Sequence, residues 1–296
     1  MIKWRSKCLV LQVILIFCCT HIVQAQLTDL AKLEYSFIPS SRSEDQYTRL
    51  RASLNYPIKI KDTDYLLVGG EYNRILLNLE DEYPFNTNEL KILHVIDFNL
   101  GYTFKWNNDW RLGLTVNPRI ASTLTTTLKG DDLFLNGGIF AIKDRTDATD
   151  IERPYRLVLG LTYNTTAGIP FPLPFVSYYR KVNAKWSFNA GIPKSNLKYF
   201  FDEKNMLQLF SGLDGYFANI QQPIDVNGQL VNNISLSVAV AGVGYEYFFT
   251  KNLVAYTYFG YTFRLRNVLR NRDREEIFGL NELNAFYLRT GIKFKI

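Results

Sequence analysis

The stretch HVIDFNLGYTFKWNNDWRLGLTVNP, residues 94–118, reads as two alternating strands around a very short turn. Ile96, Phe98, Leu100, Tyr102, Phe104 and Trp106 fall on one face, and Asp97, Asn99, Gly101, Thr103 and Lys105 on the other. After Asn107-Asn108-Asp109 the pattern resumes: Trp110, Leu112, Leu114 and Val116 are apolar, while Arg111, Gly113, Thr115 and Asn117 are not. Side chains on a strand point alternately to its two faces, so each strand carries one apolar and one polar face. The apolar face either packs on a second sheet in a soluble sandwich or meets lipid.

The start of the chain separates the two cases. Lys3, Arg5 and Lys7 precede a mostly apolar run from Leu9 to Val23, and Ala25 is a small residue just before Gln26. This is the layout of a secretory signal peptide, and the apolar run is too short to span a bilayer as a helix. The expectation is a signal peptide over residues 1–25 and a single outer-membrane domain over 26–296. Cys8, Cys18 and Cys19 all lie in the first part, so the mature chain has no thiol. That excludes a disulfide framework and a cysteine metal site. Removing three basic and no acidic residues leaves 31 Lys and Arg against 28 Asp and Glu, a charge of +3. The basic residues are scattered singly along strands, so no nucleic-acid surface is expected.

Nineteen Tyr, 21 Phe and four Trp accompany a mean hydropathy of −0.10. High aromatic content with near-neutral hydropathy and period-two alternation suits a membrane barrel, whose strand residues divide between lipid and a polar interior. Strands are expected near 30–38, 45–60, 63–78, 90–106, 110–122, 134–142, 154–163, 172–182, 185–192, 196–201, 205–218, 232–248, 252–266 and 283–296. The fold class is therefore all-β: a single closed antiparallel transmembrane β-barrel of about 14 strands. The count is 12 if the short pair 185–192 and 196–201, with Pro193 between them, leaves the wall. With the N-terminus periplasmic, the tight connections IKIKDTDYL, WNNDWR, KVNAKW and FFTKNLV fall on the periplasmic side. The long ones, SSRSEDQ, EDEYPFNTNE, TTTLKGDD, NIQQPIDVNGQLVN and RNVLRNRDREEIFGLNE, fall outside, as in bacterial barrels. KDRTDATDIERP, residues 143–154, is long yet periplasmic in this frame. Gly242 and Gly244 mark an apparent change of register, which reads as a β-bulge.

Aromatic residues gather where an interfacial belt needs them: Phe104, Trp106 and Trp110 at one turn, Trp186 and Phe188 at another, and Tyr245, Tyr247, Phe248 and Phe249 at a third. The ending NAFYLRTGIKFKI places Phe286, Leu288, Ile292, Phe294 and Ile296 on an outward row, with Tyr287, Arg289, Lys293 and Lys295 inward. Through Arg289, Gly291, Phe294 and Ile296 it resembles the C-terminal targeting strand of outer-membrane barrels, with Ile where Phe is commonest. That resemblance implies recognition of Gly291, Phe294 and Ile296 by the barrel assembly machinery. Pro172-Leu173-Pro174, Trp186, Gly191-Ile192-Pro193 and Tyr199 resemble a domain-of-unknown-function family of Gram-negative outer-membrane barrels. The resemblance implies the barrel and no activity.

Enzymatic motifs are scarce. The mature chain has one histidine, His94, on the lipid-facing row of Ile96 and Phe98 and without a catalytic partner on that row. Asp144, Asp147 and Asp150 lack the glycine and glutamate of a calcium loop. No enzyme activity, cofactor or metal is expected. Function then resides in the lumen, whose expected lining includes Glu34, Arg49, Arg51, Glu71, Asp97, Arg111, Arg156, Asp214, Glu246, Arg264 and Arg289. Both signs occur there in similar number. Ladders of Arg49 or Arg51 with Glu34 or Glu71, together with Tyr256, Tyr258 and Tyr287, favour a narrow or occluded interior. Three functions stand open: a narrow channel or small-solute transporter, a non-conducting structural or surface-interaction barrel, and a barrel enzyme acting on lipid. The expected partners are outer-membrane lipids, lipopolysaccharide included.

Overall fold

Five turns at one end of the molecule are built alike. The backbone N–H groups of Ile60, Trp106, Val182, Phe201 and Phe249 each donate to the carbonyl four residues on. In four of them a side chain caps the turn: Asn107, Asn183, Asp202 and Thr250 accept the N–H groups two and three residues ahead at 2.7–3.2 Å. A short polar side chain that bonds its own backbone in this way fixes a reversal without a longer loop. These turns join most of the strands of a computed structural model that describes residues 29–39, 44–146, 148, 154–165, 168–280 and 284–295.

The strands are β1 (Ala31–Ile38), β2 (Gln46–Lys59), β3 (Tyr65–Asn78), β4 (Ile92–Lys105), β5 (Arg111–Ser122), β6 (Leu133–Asp144), β7 (Tyr155–Asn164), β8 (Phe171–Lys181), β9 (Trp186–Ile192), β10 (Lys194–Phe200), β11 (Asn205–Val226), β12 (Gln229–Phe248), β13 (Leu253–Arg270), β14 (Glu276–Gly279) and β15 (Phe286–Phe294). Each pairs antiparallel with its neighbour, and β15 lies between β13 and β1, which closes the ring. The short β14 bonds only to the far end of β13, so fourteen strands form the wall. β9 and β10 belong to that wall, paired with β8 and β11, which excludes the count of 12. Closure leaves no unpaired edge.

The outward rows are apolar. Leu54, Phe98, Leu114, Ile139, Leu209, Phe259 and Ile292 each expose about half or more of their surface. A continuous apolar band around a closed barrel is covered by hydrocarbon, since a soluble protein exposing it would aggregate. The inward rows change character along the barrel axis. On β3 they run Glu71, Asn73, Ile75, Leu77, and on β4 Asn99, Asp97, Val95, Leu93, from polar at the turn end to buried and apolar at the loop end.

This gradient corrects the bulge expected at Gly242 and Gly244. The register of β12 on β11 is continuous from Asn233 to Tyr247. The even positions face inward throughout: Glu246 in the polar half, then Val240, Leu236 and Ile234 in the apolar half. The apparent flip arises because the interior itself turns apolar. The irregularity lies instead at Ser237 and Val238 against β13.

Two segments expected as loops are also strand. β11 and β12 extend past the wall as one hairpin closed by Asn227-Gly228, both with positive φ. This is the Asn-Gly reversal of a two-residue hairpin. β13 continues to Arg270 and pairs with β14.

Candidate functional site

The functional candidate is the lumen. At mid-height it is crossed by a charged network. Arg49, 1% exposed, reaches Glu34 on β1 at 3.2 Å and Asp214 on β11 at 2.8 Å, and also donates to the Tyr216 hydroxyl. Arg51 pairs with Glu71 at 2.6 Å, and Asn73 donates to the same carboxylate at 2.9 Å. Arg289 on β15 stands 3.7 Å from Glu34 and 3.6 Å from Asp214. The Tyr256 hydroxyl donates to Glu34 at 2.8 Å. Three guanidinium groups thus meet three carboxylates across the ring. Buried pairs of this kind hold only while every member has its partners. Beside them Arg119 binds Asp97 through two bonds, at 2.6 and 3.0 Å. Nearer the turn end, Glu246 takes Lys293 at 2.5 Å and Lys295 at 3.4 Å, and accepts from the Tyr258 hydroxyl at 2.5 Å.

On the turn side of the network the lumen opens into a chamber of about 390 Å³, lined by Lys32, Arg51, Ser53, Asn55, Glu71, Asn99 and Asn117 among others. Asn117 donates to Asn99 and Asn99 to Asn55, both at 2.9 Å, forming an amide ladder along the wall. Gly69 on β3 lies within the ladder's path. A Cβ there would sit 2.3 Å from the Asn55 side-chain oxygen, so only glycine lets the ladder pass.

On the loop side the lumen is filled. The β11–β12 extension bends over the mouth, and Asn219 pairs in parallel with Ser122 of β5, six strands away in the ring. Beneath it lies a buried cluster that includes Ile75, Leu93, Val95, Ile220, Val231 and Leu269. Asp132, fully buried, latches this lid: it accepts Asn219 at 2.8 Å, Gln221 at 2.7 Å and the Lys129 N–H at 2.7 Å. Gly168 accepts from the Ser235 hydroxyl of β12.

Of the residues expected in the lumen, Glu34, Arg49, Arg51, Glu71, Asp214 and Arg289 come together in one network, Asp97 stands beside it, and Glu246 forms the second centre. Arg111 and Arg156 lie at the turn-end rim. Arg111 donates to the Thr63 carbonyl, and Arg156 faces Asp144 at 3.9 Å. Arg264 lies near the loop end, beside a small cavity of about 60 Å³ that Tyr216 and Tyr287 also line. The balance of signs differs from the expectation. Lys32, Arg119, Lys194 and Lys198 also point inward, so cations exceed carboxylates. Lys194 and Lys198 escaped notice because Pro193 interrupts the alternation that assigns a strand's faces. Lys32 was legible two residues before Glu34 on the same row, and Arg119 two residues after Asn117.

His94 lies on the outward face, its Nδ1 2.8 Å from the Tyr72 hydroxyl. Across from it on β5 stands Ser122. That hydroxyl bonds Asp132 instead. Gly291 and Phe294 lie in β15, with Phe294 turned outward. Ile296, Asp147, Asp150 and residues 1–25 lie outside the described residues.

A family model described as "Domain of unknown function (DUF6268)" matches residues 21–295. No curated protein matches the chain. Among solved structures, the chain is similar to the NanC porin at 10% identity and a TM-score of 0.40, over 90% of this chain and 100% of that one. It is similar to LpxR from Salmonella typhimurium at 10% identity and a TM-score of 0.39, over 90% and 100%. It is also similar to a deltaS2 mutant of the TodX monoaromatic hydrocarbon channel, at 9% identity and a TM-score of 0.36, over 91% of each chain.

Proposed function

The chain belongs to the DUF6268 family, whose description assigns no activity, and we propose that it is an outer-membrane barrel closed at rest, in contrast to an open general porin. Residues 1–25 export it, and the barrel assembly machinery reads Gly291, Phe294 and Ile296. The turn end faces the periplasm and the loop end the outside. The observation that carries this reading is the β11–β12 hairpin, which crosses the mouth to Ser122 over a buried apolar cluster. Water and ions do not enter a close-packed apolar interior. The charged network beneath adds a second layer in which each arginine is held by carboxylates.

The chamber on the turn side favours a second reading, a narrow solute channel whose lid opens. A lipid-acting enzyme gains no support from His94 and Ser122, because their hydrogen bonds point to Tyr72 and Asp132 rather than to each other. Single-channel recording of the refolded protein tests the proposal. Wild type gives no stable open-pore current, and replacing residues 220–231 with a short Gly-Ser link produces one. A large, stable conductance in the unmodified protein overturns the closed barrel.

A further inference from the structure

The outward rows of β2, β3, β4 and β5 fall on the even positions, and along these rows only Arg74 and His94 are basic or acidic. The two stand directly opposite each other in the β3–β4 ladder, with Leu50 of β2 on the other side of Arg74. Arg74 is exposed, while its chain neighbours Asn73 and Ile75 are fully buried. It makes no ion pair or hydrogen bond among the described residues. The acidic groups on either side of it along the chain are engaged elsewhere: Glu71 accepts from Arg51 in the lumen, and Glu80 from Asn78. His94 is fixed by Tyr72, whose hydroxyl lies 2.8 Å from Nδ1 and whose ring stacks on the imidazole with centroids 6.1 Å apart. With the hydroxyl donating to Nδ1, the ring proton sits on Nε2, which has no partner among the described residues.

The depth of this pair on the barrel wall decides what meets it. Ten residues of β4 separate His94 from Phe104 in the turn-end aromatic belt. That is ~33 Å along a strand, which a tilt of about 40° reduces to about 25 Å, the height of the apolar band of a membrane barrel. Arg74 and His94 therefore lie at the loop-end margin of the band, where hydrocarbon gives way to lipid headgroups. A guanidinium on the lipid face is costly in hydrocarbon and tolerated at the interface, and its fork is suited to two parallel bonds to phosphate. Below the pair, toward the turn end, the exposed Leu54, Val68 and Phe98 supply an apolar surface for acyl chains. We propose that this face binds a phosphorylated lipid of the loop-side leaflet, with the Arg74 guanidinium and the His94 Nε2–H holding a phosphomonoester. In the orientation proposed above, on which the source of the lipid rests, that lipid is lipid A.

Residues 26–296 hold one histidine, so the site carries its own reporter. The refolded chain of those residues, labelled with isotope in histidine, is titrated with lipid A in an uncharged detergent and the imidazole resonance of His94 is followed by NMR. The resonance moves saturably with lipid A and stays in place with dephosphorylated lipid A. In Arg74→Gln the movement needs at least about tenfold more lipid, while Arg74→Lys, which keeps the charge and loses the fork, falls between that variant and wild type. Heat-modifiable gel mobility checks that each variant is folded. If Arg74→Gln is not, Arg74→Lys carries the comparison. Absence of a saturable response, an equal response to dephosphorylated lipid A, wild-type affinity in the folded Arg74 variants, or tighter binding of phosphatidylglycerol than of lipid A overturns the proposal. A micelle has no sides and no voltage is applied, so these outcomes strike the site alone. An open-pore conductance overturns the closed barrel and leaves the site standing, whereas cysteine labelling that inverts the barrel overturns the orientation and, with it, lipid A as the source.

Discussion

Asp132 shows how one buried carboxylate fixes a distant segment. It stands in the connection between β5 and β6, yet its oxygens hold Asn219 and Gln221 of the hairpin that crosses the mouth. Burial pushes its carboxyl upward, but the hydrogen bonds from Ser122, Asn219, the Lys129 backbone and Gln221 outweigh burial and hold it below the usual aspartate range. A carboxyl lowered on folding stabilises the folded state above its unfolded pKa, and that contribution is lost as pH falls through the folded one. The latch is therefore at full strength from neutral pH down to about pH 4 and weakens below it. Hydrogen exchange over residues 220–231, corrected for intrinsic rate, should accelerate in wild type at pH 3 relative to pH 7. In Asp132→Asn the amide cannot accept all of these donors, at a cost of about 1–3 kcal/mol, so exchange should already be fast at pH 7 and rise little on acidification. Protection equal to wild type in that variant would remove Asp132 from the latch.

Among the elements, β15 carries the most consequence per residue, because the ring closes through it. It pairs with β1 on one side and β13 on the other, register Ala31–Phe294 and Leu253–Phe294. Its outward Phe294 faces lipid, while its inward Arg289 and Lys293 join the two charged centres. Phe294→Ala together with Ile296→Ala should sharply reduce the folded, heat-modifiable protein in isolated outer membranes, and folded protein at the wild-type level would show that the ending is no assembly signal. β15, like β2 to β5, was legible in the sequence, because a lipid-facing apolar row and a polar lumen make alternation unambiguous. The upper halves of β11 and β12 were not, because from Phe217 to Gln221 every residue is buried and no polar row remains to mark a face. Asn227-Gly228 was the available signal there, a reversal too tight for a loop. The central network was legible for the same reason as the strands: Glu34, Arg49, Arg51, Glu71 and Arg289 cannot face hydrocarbon. The latch on Ser122 was not, since it joins residues 97 apart through a contact that no alternation encodes.

At the scale of the molecule, the two ends differ in construction, and the proposed orientation rests on this difference. The turn end carries five closely similar short turns, with Asp29 and Lys295 of the described chain ends beside it. The loop end carries the lid, the 3-10 turn with Asp132 and the β13–β14 extension. In the proposed orientation the end with the short turns faces the periplasm, as in bacterial barrels. Asn271 is a poor reporter of the outer side, because its side chain caps the turn by accepting the Glu275 N–H at 2.9 Å. Arg272 next to it is 79% exposed and its pairing with Asp131 spans 3.6 Å, a surface contact worth well under about 1 kcal/mol. Arg272→Cys should therefore fold normally and react on intact cells with a thiol reagent too large for porins. Lys251→Cys, in the turn capped by Thr250, should react only after lysis. All three native cysteines lie in the first 25 residues, so with those removed as proposed, no other thiol contributes background. Labelling of Lys251→Cys on intact cells, with Arg272→Cys silent until lysis, would invert the barrel and place its open chamber toward the outside.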